Sequence, residues 1–212
     1  MAYSNFTSRD LKEKFGIIQE MKSDIFTNAP ARKVSDWLKT SLQRHTKMAL
    51  SQGLEKARSE FIIAPILAEL YDQANTELSL FSGWELNVDV ELGLIGRCDF
   101  LVSRSNNQTY LEAPIVVAVE AKQDDFRQGI NQCIAEMVAA RIFNEREGNE
   151  ISKIFGCVTT GDVWRFLVLD GKKVEIEEKV YELSEVEQIL GILWEMSFEN
   201  ANKKYLAKES PK

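Results

Sequence analysis

One short segment constrains the fold of this chain more than any other. It spans residues 114–122 and reads Pro-Ile-Val-Val-Ala-Val-Glu-Ala-Lys. A β-branched run of this length is typical of a strand buried on both faces, as at the centre of an α/β sheet. Because side chains alternate along a strand, Glu120 and Lys122 should project to the same side. Opposite charges that close a buried strand are costly unless something uses them, so the segment predicts a functional site.

The composition indicates one globular domain with a small N-terminal appendage. The chain has 212 residues, of which 44% are hydrophobic and 28% charged, which is enough to bury a sizeable core. A break at residues 28–31, Asn-Ala-Pro-Ala, separates the predicted appendage, 1–30, from the main domain, 31–205. A charged tail is predicted over 206–212.

The cysteines and the apolar runs indicate a cytoplasmic protein. Cys98, Cys133 and Cys157 are odd in number, far apart and without metal-ligand spacing, which favours reduced thiols over a disulfide framework. The single histidine, His45, disfavours a zinc site. No apolar run approaches the roughly 18 residues of a membrane helix, and the first residues lack a signal-peptide pattern. We therefore expect no membrane partner.

The charge is distributed unevenly along the chain. The net charge of −7 does not indicate the general basic surface of a nucleic-acid-binding protein. Residues 1–60 nevertheless carry eleven basic against seven acidic side chains, whereas residues 174–199 carry eight glutamates and one lysine. If the protein contacts an anion, the N-terminal half is the predicted place. The alternative is a solvated helical face rich in lysine.

Hydrophobic periodicity predicts the order of the elements. We predict helices at residues 7–16, from 36, at 51–75, 124–147 and 184–200, and strands at 84–90, 95–103, 115–122, 154–160, 163–169 and 173–176. The predicted N-caps are Ser8, Ser35 and Ser184. Pro65 should kink the long helix or join two segments. The order of helix, three strands, helix and further strands predicts an α/β sandwich with a mixed central sheet.

The motif within this order resembles that of the PD-(D/E)XK nuclease superfamily. Asp99 on the second strand precedes Glu120-Ala121-Lys122, which ends the third strand before a helix. Restriction endonucleases, Holliday-junction resolvases and RecB-type nucleases share this pattern, and the resemblance covers about residues 50–170. It implies a restriction-endonuclease-like three-layer core with a mixed central sheet flanked by helices. It also implies a Mg²⁺-dependent (endo)deoxyribonuclease, with Mn²⁺ as an alternative metal, DNA as partner and a homodimer as a further expectation.

The resemblance also implies roles for individual residues. Asp99 and Glu120 are the expected Mg²⁺ ligands, and Lys122 would orient or activate the attacking water. An acid on the preceding helix often completes the site, and Glu60 is the candidate. In some RecB-like members a glutamine on the following helix contacts the site or the substrate backbone, which points to Gln132. This sequence departs from the family name in having no proline before Asp99.

Elementary chemistry supports the same assignment. Phosphodiester hydrolysis needs a cation to neutralise developing charge and to make water a better nucleophile. Mg²⁺ prefers oxygen ligands and keeps several waters, so two or three carboxylates suffice. At helical spacing Glu60 lies beside Ile63, Ala64, Leu67 and Tyr71, so we expect it to be embedded in an apolar face. On the same basis Gln128 and Gln132 should face away from the apolar side of their helix.

Each assignment has a structural alternative. Asp99 could serve the loop after its strand, Glu120 with Lys122 could form a structural ion pair, and Glu60 could be a capping or salt-bridging residue. For the whole chain, one alternative is a catalytically inactive nuclease-fold protein that acts as a nucleic-acid-binding or assembly module. A glycoside hydrolase with paired acids is a third hypothesis, which the adjacent lysine and the buried strand disfavour.

Overall fold

The computed structural model describes residues 2–122, 126–149 and 151–206, with side chains described through Glu199. The α-helices are α1 (Ser8–Phe15), α2 (Asp36–Ser51), α3 (Glu55–Arg58), α4 (Ala64–Gln73), α5 (Phe126–Arg146) and α6 (Val186–Leu206). The strands are β1 (Ile18–Lys22), β2 (Ser79–Glu85), β3 (Arg97–Ser103), β4 (Ile115–Ala121), β5 (Lys153–Thr159), β6 (Val163–Asp170), β7 (Lys173–Glu177) and β8 (Tyr181–Glu182). A π-helical turn, Ser59–Ile63, joins α3 to α4.

The strands form one eight-stranded mixed sheet flanked by helices. Its order is β1-β7-β6-β5-β4-β3-β2, with β8 paired to β6. The pairs β1/β7 and β4/β5 are parallel, and the others are antiparallel. All seven positions of β4 are buried, which confirms the prediction of a strand covered on both faces. The predicted α/β class with a mixed central sheet is therefore also confirmed.

Apolar side chains cover both faces of the sheet. On one face Val117 and Val119 of β4 join a cluster with residues of α2, α4 and α6. On the other face Ala118 joins a second cluster, to which α1 and α5 contribute Leu11, Ile134 and other side chains. Since neighbouring residues of β4 point to opposite faces, this one strand contacts both clusters.

The N-terminal segment 1–30, predicted as an appendage, contributes to this sheet and core. Its strand β1 pairs in parallel with β7, and Tyr3 and Leu11 are buried in the cluster under α5. The side chains of β1 are mostly exposed, so the strand shows no apolar alternation and was not predicted. Helix α1 ends at Gly16 as predicted, in the left-handed conformation with φ 68°. Its N-cap is Thr7, which forms a capping box with Asp10, and the predicted N-cap Ser8 is wrong by one residue.

Other boundaries also differ from the predictions. The predicted hairpin is confirmed as the antiparallel pair β2/β3. Its first strand covers Ser79–Glu85, whereas the prediction was 84–90. Pro65 lies in the first turn of α4, where two helical segments join as predicted. Ser35 caps α2 as predicted. Ser184 does not cap α6, because it lies within a 3₁₀ turn that Glu182 and Glu185 close reciprocally.

Two predicted stretches fall partly outside the described residues. The start of the helix at 124–147 is one, since α5 is described only from Phe126. The tail at 206–212 is the other, of which only Leu206 is described, as the last residue of α6. No helix in the described ranges combines the length and the apolarity that crossing a bilayer requires.

Candidate functional site

Asp99, Glu120 and Lys122 come together where β4 ends and β3 begins. The antiparallel register pairs Phe100 with Val119, so the next position sets Asp99 beside Glu120. Lys122 Nζ lies 2.6 Å from Glu120 Oε1. Asp99 Oδ2 accepts a hydrogen bond from the backbone N–H of Ala121 at 2.8 Å. The structure thus brings together the three residues of the predicted motif.

These charged groups lie mostly out of solvent. Glu120 is 1% exposed and the side chain of Lys122 18% exposed. The second carboxyl oxygen of Glu120, Oε2, is buried without a hydrogen-bond donor. A buried acceptor left without a donor is uncommon in a folded protein, so this oxygen marks a place where a proton, a water or a cation belongs.

Burial and mutual repulsion shift the pKa values of the two carboxyls. Burial, followed by the charge of Asp99, raises the pKa of Glu120 to about 8, although Lys122 opposes the shift. Burial also raises the pKa of Asp99, against the opposing effects of the Ala121 N–H and of Lys122. Burial is the largest single influence on the pKa of Lys122 and would lower it. The charge and hydrogen bond of Glu120, together with the charges of Glu55 and Asp99, outweigh burial and raise the pKa. Lys122 therefore keeps its proton.

Helix α5 adds a further acid that the sequence reasoning missed. Glu136 is fully buried within an otherwise apolar stretch of α5, close enough to Glu120 and Asp99 for their charges to act on it. Burial, followed by the charges of Glu120 and Asp99, raises the pKa of Glu136 well above its ordinary value. A glutamate amid Cys133–Ala140 was the available signal, because charged residues are rarely fully buried without a partner.

The two predicted glutamines of α5 have different environments. Gln132 is buried, and its Nε2 donates to Glu136 Oε1 at 3.2 Å. Gln132 therefore does not face water, because α5 is buried around most of its circumference. Gln128 is exposed and donates to the carbonyl oxygen of Ser4 at 3.2 Å. Gln132 is thus adjacent to an acidic group of the site.

Gly129 of α5 makes room for the stem of Lys122. A Cβ atom built on Gly129 would lie 2.8 Å from Lys122 Cγ and 2.8 Å from Val158 Cγ1. Real Cβ atoms essentially never approach other heavy atoms closer than 3.0 Å. The absence of a side chain here lets Lys122 pass over the helix to reach Glu120. No pattern in the sequence indicated this role.

Glu60 lies outside the site. Its side chain is 52% exposed and pairs with Lys56 Nζ at 3.0 Å, so the expected embedding in an apolar face is wrong. The physical reason is the π turn Ser59–Ile63, in which Ala64 N–H bonds to the carbonyl of Ser59. A π turn breaks the 100° spacing on which the prediction depended. The charge that reaches Asp99 and Lys122 from this region is that of Glu55, at the start of α3.

The donor atoms fit a magnesium ion held by two protein carboxylates. Within residues 2–122, 126–149 and 151–206, no group of three or more His, Cys, Asp or Glu side chains could hold a metal ion. Asp99 and Glu120 nevertheless supply adjacent carboxyl groups, and Glu120 Oε2 lacks a donor. Mg²⁺ prefers oxygen ligands and retains several waters, so two carboxylates are a sufficient protein contribution.

Comparisons with protein-family models, with curated proteins and with solved structures found no match. The resemblance to the PD-(D/E)XK superfamily therefore stays a prediction. It depends on Asp99, Glu120 and Lys122 and on the order of the elements that carry them.

Proposed function

We propose that this protein is a Mg²⁺-dependent nuclease of the PD-(D/E)XK type that hydrolyses phosphodiester bonds of DNA. The observation that carries the proposal is the convergence of Asp99, Glu120 and Lys122 at one end of β4. Lys122 Nζ there lies 2.6 Å from a glutamate that is 1% exposed. This arrangement combines two oxygen ligands for a cation with one fixed ammonium group, in the surroundings of low polarity where charges act strongly.

Each residue has a defined role in this proposal. Asp99 and Glu120 would hold the cation, which when bound neutralises phosphate charge and makes water more acidic. The Ala121 N–H fixes Asp99 Oδ2 and so limits the rotation of that carboxyl group. Lys122 donates a hydrogen bond to the attacking water and orients it toward phosphorus. Because its pKa is raised, Lys122 acts as a donor and not as the base that removes the proton.

A cleavage panel tests this function. Purified protein with Mg²⁺ or Mn²⁺ would be incubated with single-stranded, duplex and branched DNA, and with RNA of the same sequences. We expect metal-dependent cleavage of at least one DNA form and its loss in Lys122→Ala. Lys22→Ala is the matched control. It also removes a lysine from an ion pair with a glutamate, but this pair, Lys22 of the edge strand β1 with Glu175 of β7, is not part of the site. Intact substrates in every lane, or equal cleavage by Lys122→Ala, would contradict the proposal.

A second candidate is a catalytically inactive protein of this fold that binds nucleic acid or serves in assembly. The net charge of −7 favours it. This alternative predicts retention of a nucleic-acid ligand in a binding assay without any cleavage product. It also predicts that Lys122→Ala leaves that binding unchanged, whereas a nuclease would lose cleavage in this variant.

A further inference from the structure

The outer side of α2 carries an exposed tryptophan among basic side chains. Five exposed residues, which we call the α2 stripe, follow one another at spacings of three and four: Trp37, Thr40, Arg44, Lys47 and Met48. Residues at these spacings lie on one side of a helix. Trp37 is 56% exposed and Met48 38% exposed. Aromatic, apolar and cationic groups thus share one strip of surface.

Contacts within the chain do not account for the α2 stripe. In the part of the chain that the structure describes, Trp37 pairs with no other aromatic ring. Arg44 and Lys47 take part in none of the ion pairs among the described residues. The stripe has no acidic member, although the whole chain has a net charge of −7. Its charge is therefore free to attract an anion.

The C-terminal end of α2 leads to the candidate site. Helix α3 follows after a loop of three residues. From α3, Arg58 Nη1 donates to the carbonyl oxygen of Thr160 at 2.9 Å. The carbonyl oxygen of the preceding residue, Thr159, accepts the backbone N–H of Lys122 at 2.8 Å. The α2 stripe therefore extends over a helix of 16 residues, about 24 Å long, that ends close to Lys122.

We propose that the α2 stripe binds an unpaired strand of DNA beside the candidate site, with Trp37 stacked on a base and Arg44 and Lys47 on phosphates. Cationic groups that follow the backbone, combined with an aromatic face for the bases, are the usual means of binding single strands. Bases within a duplex are stacked on each other and do not offer that face. The binding of DNA here rests on the proposed function, to which it adds a preference for substrates with a single-stranded segment.

Two substitutions of Trp37 test the stacking. Trp37→Leu keeps an apolar side chain without a ring, and Trp37→Phe keeps a ring. Fluorescence anisotropy with a labelled oligothymidylate, in the presence of a chelator, measures binding without cleavage. We expect Trp37→Leu to raise Kd about 5- to 100-fold and Trp37→Phe to restore most of the affinity. The fold should be unaffected, because the buried residues of α2 lie on the other side of the helix.

The double variant Arg44→Gln/Lys47→Gln tests the phosphate contacts. Each contact to a single strand contributes about 0.7 to the slope of log Kd against log salt concentration, so the slope should fall by about 1.4. Lys22→Gln/Lys173→Gln is the matched control, since it removes the same charge from the strands β1 and β7. Its slope should equal that of the wild type.

The failure of this proposal and that of the proposed function give different results. If the wild type does not bind the oligonucleotide, or Trp37→Leu binds it as tightly, strand binding by the stripe is refuted even if the protein cleaves DNA. An unchanged salt slope in Arg44→Gln/Lys47→Gln refutes it as well. So does a dimer, seen by sedimentation, that Trp37→Leu disrupts without affecting DNA binding. If both variants bind as expected but Mg²⁺ supports no cleavage, strand binding is supported and only the proposed hydrolysis fails.

Discussion

The substitution Gly129→Ala tests the position of Lys122 separately from the stability of the fold, because it adds a single methyl group beside the lysine stem. In Gly129→Ala the added Cβ lies 2.8 Å from Lys122 Cγ, so the lysine stem has to move by about 0.6 Å to reach ordinary contact at 3.4 Å. The helix itself gains up to about 1 kcal/mol, because alanine is a better helix former than glycine. Overpacking a well-filled core costs about 1–3 kcal/mol. The net loss of stability should therefore be small, about 0–2 kcal/mol.

The effect on cleavage should be larger than the effect on stability. Lys122 Nζ lies 2.6 Å from Glu120, and a displaced stem carries the ammonium away from this position. A misplacement of about 1 Å in a reacting group costs on the order of 100-fold in rate. We therefore expect Gly129→Ala to fold normally, to melt within a few degrees of the wild type and to lose about 10- to 100-fold in kcat. Steady-state cleavage kinetics and thermal unfolding measure the two effects separately.

The double variant Gly129→Ala/Val158→Ala identifies which contact matters. The new methyl group meets Val158 Cγ1 as closely as it meets Lys122 Cγ, and Val158→Ala removes only the first of these clashes. We expect the double variant to keep the loss in kcat of Gly129→Ala, with Val158→Ala alone as its active control. Wild-type kcat in Gly129→Ala, or full recovery of kcat in the double variant, would refute the steric reasoning.

Three further predictions concern the pH dependence of stability, stabilisation by Mg²⁺, and Glu60, which lies outside the site. Burial and the charge of Asp99 raise the pKa of Glu120 from 4.5 to about 8, so the stability of the metal-free protein should fall as pH rises between these values. The loss in the free energy of unfolding is at most about 5 kcal/mol. Measured by urea unfolding, this free energy should change less between pH 5 and 8 in Glu120→Gln than in the wild type. Mg²⁺ at 100 times its Kd should stabilise the protein by about 2.7 kcal/mol in thermal unfolding, an effect that a chelator reverses and Asp99→Asn abolishes. Glu60→Ala should leave cleavage unchanged, since it removes only an exposed pair with Lys56; a loss above about tenfold would return Glu60 to the site.

Much of the site could be predicted because its residues lie on regular strands close together in sequence. The alternation along β4 sets Glu120 and Lys122 on one side, and the hairpin-like order of β3 and β4 brings Asp99 to them. Glu60 could not be placed in the same way, since its orientation depends on the π turn Ser59–Ile63, which the apolar pattern does not reveal. Local periodicity is a reliable guide only while the backbone keeps its regular geometry.

The sequence by itself determined the central strand and the motif at its end, because a buried strand needs an apolar run and a period of two. Only the tertiary structure decided what surrounds that motif. The packing of α5 against β4 brings Glu136 to Glu120 and the bare backbone of Gly129 to Lys122. The parallel pairing of β1 with β7 likewise joins the N-terminal segment to the sheet. These contacts link elements that are separate along the chain, so their partners and distances arise from how the layers pack and not from any local pattern.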